Sequence, residues 1–386
     1  MTTASEASWP LRLLYVHAAE GCNLACRHCW IQPVEPGAVD AGRFLPLQEL
    51  ADAVEQARPL GLEAVKLTGG EPLLHPKILD IIGVLRQKGL KCSVETNGTL
   101  VTAEVAAALA ASPAAEVTVS LDGADAATHE WVRRVPGCFA AALAGMERLS
   151  AAGLRPEVVF TVMRRNREQL EAVVDLARNL GAGAVKINVL QPLGRGRELW
   201  AAGEALTIRE LVALGRWAEQ ELAPRSFAPL FFHQPAAFRP LSRIFGGTAP
   251  GCGACGILGI LGLLADGSYA LCGIGQTVPG LVFGQVRHTP LRQVWQQSPC
   301  LAELRQGLPR RLSGVCGLCL MQELCLGGCV AQTYEATGSF WEPFWFCRQA
   351  REAGLFPPGR LLDGRNGGRM KEEEGNQRGW TGENQV

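Results

Sequence analysis

Two periods of apolar residues divide most of this chain. Short apolar runs of strand length lie at 13–19, 64–68, 92–97, 116–122, 156–162 and 185–190, most of them closed by glycine or another turn signal. Between them the spacing turns helical, at 47–60, 78–88, 102–111, 139–151, 168–180 and 207–222. In the second of these, Ile78, Ile81, Ile82 and Leu85 share one face. Strands alternating with helices at intervals of about 25–35 residues imply parallel strands joined by right-handed crossovers. Six such units predict an α/β fold, a partial (β/α)6 barrel that falls short of the eight units of a complete one. In such a fold the loops leaving the C-terminal strand ends carry the function.

The remaining segments are less regular. Residues 1–10 read as a short polar leader, with no room for a folded leader-binding module. Residues 33–45 contain proline and glycine and read as loop. Residues 224–250, rich in proline and aromatics, read as a connection, so the barrel is expected over 11–223. From Gly251 the periodicity fades and cysteines crowd together. The stretch 251–356 reads as a second domain, held by metal rather than by a large apolar core. Residues 357–386, polar and glycine-rich with glutamates at 372–374, read as a mostly disordered tail.

Composition narrows the classes. The chain has 386 residues, 47% of them hydrophobic, enough for a barrel plus an appendage. Lys plus Arg and Asp plus Glu both number 37, so the formal charge is zero. That argues against a basic stripe for nucleic acid as the dominant surface feature. The N-terminus lacks the basic and apolar regions of a secretory signal, and the longest apolar run, 257–265, is too short to span a bilayer. The expectation is a cytoplasmic protein with no membrane and no nucleic-acid partner. Fourteen cysteines in a reducing compartment are metal ligands more often than disulfides.

The loop after the first run carries Cys22-Asn-Leu-Ala-Cys26-Arg-His-Cys29. Three thiolates spaced C-x3-C-x2-C can hold three irons of a [4Fe–4S] cube and leave the fourth open to a small molecule. A zinc knuckle would pair such a motif with a second one, and none lies nearby. The spacing resembles the signature of radical S-adenosylmethionine (SAM) enzymes. The resemblance implies that SAM chelates the open iron and that an electron from the cluster cleaves it to methionine and a 5′-deoxyadenosyl radical. It also places His28 against the adenine.

Three further strand ends carry candidates. Gly69-Gly70-Glu71-Pro72 follows the second strand about 40 residues after the cysteines. Glycines there permit close approach of a ligand. Alone the motif is a loop with a helix-capping acid; the resemblance implies contact with the SAM amino group. Ser120 and Asp122 end the fourth strand, where polar side chains can meet ribose hydroxyls or the SAM carboxylate. The resemblance places Arg133 near that carboxylate, which an arginine can bind through two donors. Asp122 and Arg133 read equally well as solvated loop residues. Gln191 ends the sixth strand. Cys92, Cys138 and Cys300 have no ligand-spaced neighbours, and Cys92 reads as a buried strand residue.

Eight cysteines lie in the C-terminal region: Cys252, Cys255, Cys272, Cys316, Cys319, Cys325, Cys329 and Cys347. Eight ligands suffice for two four-iron clusters or for two zinc sites. Their spacing, C-x11-G-x4-C followed by C-x2-C-x5-C-x3-C and a last cysteine, resembles the SPASM extension of radical SAM enzymes. That resemblance covers 11–347 and implies two auxiliary [4Fe–4S] clusters. Cys252, Cys255, Cys272 and Cys329 would hold the nearer one, and Cys316, Cys319, Cys325 and Cys347 the farther.

The resulting expectation is a radical SAM/SPASM enzyme that modifies a ribosomally made peptide, served by a reducing electron donor and a separate peptide carrier. An anaerobic sulfatase-maturing enzyme and a quinone-cofactor maturase are alternatives within the family. A non-catalytic iron–sulfur or zinc scaffold is the alternative outside it. Sulfatase-maturing relatives carry a basic aspartate directly after the second cysteine of C-x9–15-G-x4-C. Here that position is Gly273, which accepts no proton. Glu95 is the candidate acid or base from elsewhere.

Overall fold

The computed structural model describes residues 9–31, 43–246 and 255–362. Cys252, most of the leader, most of the 33–45 loop and the tail beyond 362 lie outside the described residues.

All six expected strands form: β1 (Leu13–Ala19), β2 (Ala64–Gly69), β3 (Lys91–Thr96), β4 (Glu116–Ser120), β5 (Glu157–Val162) and β6 (Ala184–Val189). The expected helices lie between them: α1 (Leu47–Ala57), α2 (Ile78–Gln87), α3 (Ala103–Ala110), α5 (Cys138–Ala151), α6 (Leu170–Asn179) and α8 (Ile208–Trp217). Two helices were not expected, α4 (Ala126–Arg133) and α7 (Gly196–Ala201). The first has a readable start, because the Asp125 carboxylate accepts from the Thr128 N–H at 2.8 Å and caps it. Thr207 and Glu210 form a reciprocal capping box that starts α8.

The sheet does not stop at six strands. After the short helix α9 (Ala223–Arg225), β7 (Leu230–Phe232) pairs in parallel with β6, and α10 (Leu241–Phe245) follows. Part of the 224–250 connection therefore belongs to the barrel. On the other side β8 (Ile260–Leu263) pairs in parallel with β1, Leu13 opposite Ile260. β9 (Ser268–Ala270) and β10 (Val282–Gln285) continue it antiparallel. The order is β10-β9-β8-β1-β2-β3-β4-β5-β6-β7, with the parallel run β1 to β7 forming the partial barrel.

Polar and apolar residues alternate within these parallel strands. Leu14 and Val16, Val65 and Leu67, Cys92 and Val94, Val158 and Phe160, and Val185 and Ile187 all join one buried core. Their neighbours Tyr15, His17, Lys66, Thr68, Glu95, Lys186 and Asn188 point to the opposite face. Parallel sheets covered by apolar layers on both faces read as continuous apolar runs. This one alternates because its inner face carries polar side chains that pair with one another, Lys66 and Tyr15 with Glu95.

The C-terminal region continues with α11 (Leu291–Gln297), α12 (Pro299–Gly307), α13 (Gly314–Gly317), α14 (Gln322–Cys325), α15 (Val330–Thr337) and α16 (Trp345–Glu352). Tyr269, Trp295 and Phe346 are almost wholly buried, in the same core as the barrel strands. The expectation of a region lacking a large apolar core is thus corrected: β8 carries the barrel core across. Residues 357–362, at the start of the expected tail, are tied to the rest of the chain. Arg360 donates to the carbonyls of Ala237 and Arg239, and the Leu362 N–H to that of Leu318. Among the described residues no helix is long and apolar enough to cross a membrane.

Candidate active site

β1 delivers the chain to the cysteine loop at its C-terminal end, and backbone hydrogen bonds pin that loop on three sides. The Glu71 N–H donates to Gly21 O at 2.9 Å, Arg27 N–H to Val132 O at 2.8 Å, and Arg195 N–H to Cys29 O at 2.9 Å. The ends of β2 and α4 and the turn before α7 therefore position the three thiols. Cys26 is buried with Leu24 and Cys138, and Cys22 and Cys29 pack against them. Each sulfur meets one side-chain donor. Asn97 Nδ2 lies 3.9 Å from Cys22 Sγ, Arg133 Nη1 3.6 Å from Cys26 Sγ, and Arg195 bonds Cys29.

Burial, with Glu71 and Cys26 nearby, pushes the bare Cys22 thiol up to about 12; burial and Cys26 push Cys29 to about 11. A bound iron reverses that preference by stabilising the thiolate. Among the described residues no three His, Cys, Asp or Glu side chains close around a single metal ion. A four-iron cube does not require that, since each thiolate bonds a separate corner. Three thiols on one pinned loop, each met by a donor suited to a thiolate, fit such a cube.

Asp122 is fully buried and cross-links the site. Its Oδ2 accepts from Arg133 Nη2 at 2.6 Å and lies 2.7 Å from His28 Nε2, while Oδ1 accepts from the Thr161 N–H at 2.9 Å. Burial alone would raise its pKa, but Arg133 and then His28 outweigh this and hold it well below the ordinary carboxylate range. In the structure Asp122 and Arg133, both expected near SAM, pair with each other, and through them His28 and Cys26 are oriented.

Glu71 is likewise turned inward. Its carboxylate accepts from Thr96 Oγ1 at 2.7 Å and from the N–H groups of Asn97 and Leu73 at 2.8 and 3.1 Å. It ties the end of β2 to that of β3. Gly70 must be glycine, since a Cβ there would lie 1.9 Å from Gly21 O. Ser120 stands half-buried at the end of β4. Gln191 turns toward the C-terminal region, where its Oε1 accepts from Gln332 Nε2 at 2.7 Å. Gln332 Oε1 in turn accepts from Trp345 Nε1 at 3.1 Å.

The chamber below carries both signs of charge. Lys66 Nζ donates to Glu95 Oε1 at 2.8 Å and the Tyr15 hydroxyl to Oε2 at 3.3 Å. Burial opposes ionisation of Glu95, but Lys66 overrides it and lowers the pKa. A carboxylate so paired is a poor base, which weakens the candidacy of Glu95. His17, which the sequence reading passed over, points Nδ1 at Gln276 Oε1, 3.0 Å away, and burial drives its pKa down to about 4. A lone histidine inside an apolar run was the available signal. Gly273 is buried, and a Cβ there would lie 2.4 Å from the Tyr15 ring and 2.9 Å from His17 Nε2. Those rings occupy the space an aspartate would need.

The C-terminal cysteines fall into two groups. Cys316, Cys319, Cys325 and Cys347 line one apolar cavity with Leu312 and Phe356. Cys255, Cys272 and Cys329 are near enough for their charges to interact, and burial raises all three. Cys92 is buried in the main core and Cys300 lies apart; Cys138, alone in sequence, packs beside Cys26.

A family model described as the radical SAM superfamily matches residues 16–177. An AdoMet-dependent heme synthase of Methanosarcina barkeri is 31% identical over 348 residues, covering 87% of this chain and 96% of the relative. Mycofactocin maturase MftC of Mycobacterium ulcerans is 31% identical over 317 residues, covering 81% of each. The crystal structure of Streptococcus suis SuiB bound to precursor peptide SuiA shares the fold, with a TM-score of 0.67 at 15% identity over 88% of this chain and 76% of that one.

Proposed function

The chain belongs to the radical SAM superfamily and is an enzyme that binds SAM and a [4Fe–4S] cluster; from that premise we propose that it is a maturase acting on a ribosomally made peptide. The chamber under the cysteine loop carries this reading. Its walls hold Lys66, Glu95, Glu157, Lys186 and Asn188, both charge signs within reach of one another. Such a chamber suits one side chain of an extended polar chain. The likeness to a mycofactocin maturase over 81% of both chains supports it.

Cys22, Cys26 and Cys29 hold the SAM-binding cluster. Bound there, the cluster and SAM would supply radical chemistry able to take a hydrogen atom from an unactivated carbon. Arg133, Asn97 and Arg195 stabilise the three thiolates, and Asp122 keeps Arg133 and His28 in place for them. The backbone of Gly69 and Gly70 receives the SAM ammonium, with Ser120 toward the ribose. Cys316, Cys319, Cys325 and Cys347 hold one auxiliary [4Fe–4S] cluster. Cys255, Cys272 and Cys329, with Cys252, hold the other. Peptide access runs past a cleft of about 190 Å³ between the barrel and the C-terminal region, lined by Trp200, Gln332, Glu335, Trp345 and Arg348. A separate carrier protein presents the peptide there.

Similarity to the heme synthase of Methanosarcina barkeri over 96% of its length favours a second reading, a heme-forming step on a tetrapyrrole. A tetrapyrrole needs an apolar slot for its flat ring beside the groups that meet its propionates. The two are separated by incubating iron-reconstituted protein with SAM, dithionite and either a short precursor peptide of the kind such maturases modify or an iron porphyrin bearing propionates. A mass change in the peptide with stoichiometric 5′-deoxyadenosine supports the proposal. Conversion of the porphyrin with the peptide unchanged overturns it.

A further inference from the structure

The cleft of about 190 Å³ lies where the segment after β6 meets α15 and α16, and its walls are set before any ligand arrives. Trp200 of α7 and Trp345 of α16 stand nearly perpendicular, ring centres 5.5 Å apart. Neither indole N–H is free. Trp200 Nε1 donates to Leu190 O at 3.2 Å, and Trp345 Nε1 to Gln332 Oε1 at 3.1 Å. The two rings therefore offer apolar edge and face, with Leu193 and Pro343 beside them. Aromatic groups pack edge-to-face or offset, so a third ring suits this pair. A site fixed in advance costs little ordering entropy to use.

Two charged side chains line the cleft, Glu335 and Arg348. Glu335 is spent on Arg197. Arg348 is exposed and, among the described residues, forms no ion pair. The lining is thus left with one unneutralised positive charge beside its aromatic wall. A guanidinium can take a carboxylate through two parallel donors.

Size limits what enters. Pockets for whole small ligands run to roughly 300–1,000 Å³, whereas about 190 Å³ admits one large side chain and the start of its neighbour. No cysteine lines the cleft, nor do Tyr15, Lys66 or Glu95. It is a place to hold a substrate, not the place where it reacts. Its two walls are joined by the Gln332 Nε2 to Gln191 Oε1 bond of 2.7 Å, so a bound side chain rests on both regions of the chain.

We propose that this cleft anchors the substrate peptide by an aromatic side chain followed by an acidic one, the ring against Trp200 and Trp345 and the carboxylate on Arg348. The proposal rests on the maturase reading and adds to it a sequence requirement away from the modified residue. The ring supplies most of the affinity through buried apolar area. The carboxylate adds less, because its partner is exposed, but it selects acidic over basic segments.

The test is titration calorimetry on the iron-loaded full chain without SAM. The probes are the synthetic peptide acetyl-Gly-Phe-Glu-Gly-amide and its forms with Gln or Lys for Glu and with Ala for Phe. For the wild type, Kd should weaken about threefold with Gln and about tenfold or more with Ala for Phe. Arg348→Glu should reverse the charge preference, so that the Lys peptide binds better than the Glu peptide. Arg348→Gln, a milder change, should equalise the Glu and Gln peptides and keep the loss on replacing Phe. Equal affinity of the wild type for the Glu and Gln peptides, or no binding of the parent peptide, overturns the proposal. So does an unchanged order of affinities in both variants. A precursor peptide left unmodified with SAM and dithionite sinks the maturase reading instead, and the calorimetry decides the anchor by itself.

Discussion

The two cysteine-bearing regions are built on different principles. In the barrel, Cys22, Cys26 and Cys29 sit on a loop that strands and helices already hold, with an apolar core behind them and Asn97, Arg133 and Arg195 on their sulfurs. In the C-terminal region the cysteines belong to the scaffold itself. Cys316 and Cys325 lie in α13 and α14, helices of four residues each, far too short to persist alone. Cys316 and Cys347 are hydrogen-bonded, an interaction that lowers the pKa of Cys316 and raises that of Cys347. A site mounted on a finished fold can keep a metal position open for chemistry. A site that supplies the fold's cross-links has reason to be closed.

The largest effect should come from emptying the first site. Replacing Cys22, Cys26 and Cys29 by Ala is expected to reduce 5′-deoxyadenosine to background. The variant should keep about eight irons of about twelve and melt within about 2 °C of wild type. Loss of the fold in that variant would erase the contrast between the regions.

Next in size is the reverse experiment. Cys316→Ser with Cys347→Ser should lose about four irons and speed amide exchange through 314–347, leaving protection in β1 to β6 unchanged. Uniformly faster exchange would show that the barrel also depends on the metal.

Asp122→Asn tests how far the barrel site is its own support. It leaves Arg133 buried without a counter-charge, at a cost of about 3–5 kcal/mol in urea unfolding of the apo chain. Adding Arg133→Leu should recover much of that. No recovery would mean that Asp122 acts chiefly through the Thr161 N–H.

The smallest effect is expected at Glu210, whose hydrogen bonds go to Arg164, Arg167 and Thr207. Glu210→Gln should cost about 1 kcal/mol by weakening the α8 cap. The Arg164 bond, then Thr207, depress the Glu210 pKa from 4.5 to about 2. Its contribution is therefore full above the ordinary carboxylate value and disappears as pH falls through about 2. Denaturant midpoints compared at pH 7 and pH 2 should converge for the two proteins.

Much of the barrel was legible because its cues are local. The strand runs, the caps and the C-x3-C-x2-C loop each occupy a few consecutive residues. β7, three residues long, and β8, inside an apolar run bounded by glycines, gave too little period to read. α4 was missed although Asp125 announces its start, because its one buried face is broken by His129 and Arg133. The alternation inside the parallel strands was present in plain view and marks the polar chamber.

The sequence by itself determined which residues can bind iron, where the strand ends lie, and that Gly273 has no carboxylate. Those are properties of residue type and short-range order. Only the tertiary structure decided what the polar groups face. Asp122 and Arg133, 11 residues apart, spend their charges on each other; Glu71 turns to Thr96 and Asn97; Tyr15 and His17 fill the space beside Gly273. A buried charge or hydrogen-bonding group takes the nearest partner in space, because leaving it unpaired costs more than the contact returns. Which partner is nearest is set by the packing of strands distant in the chain.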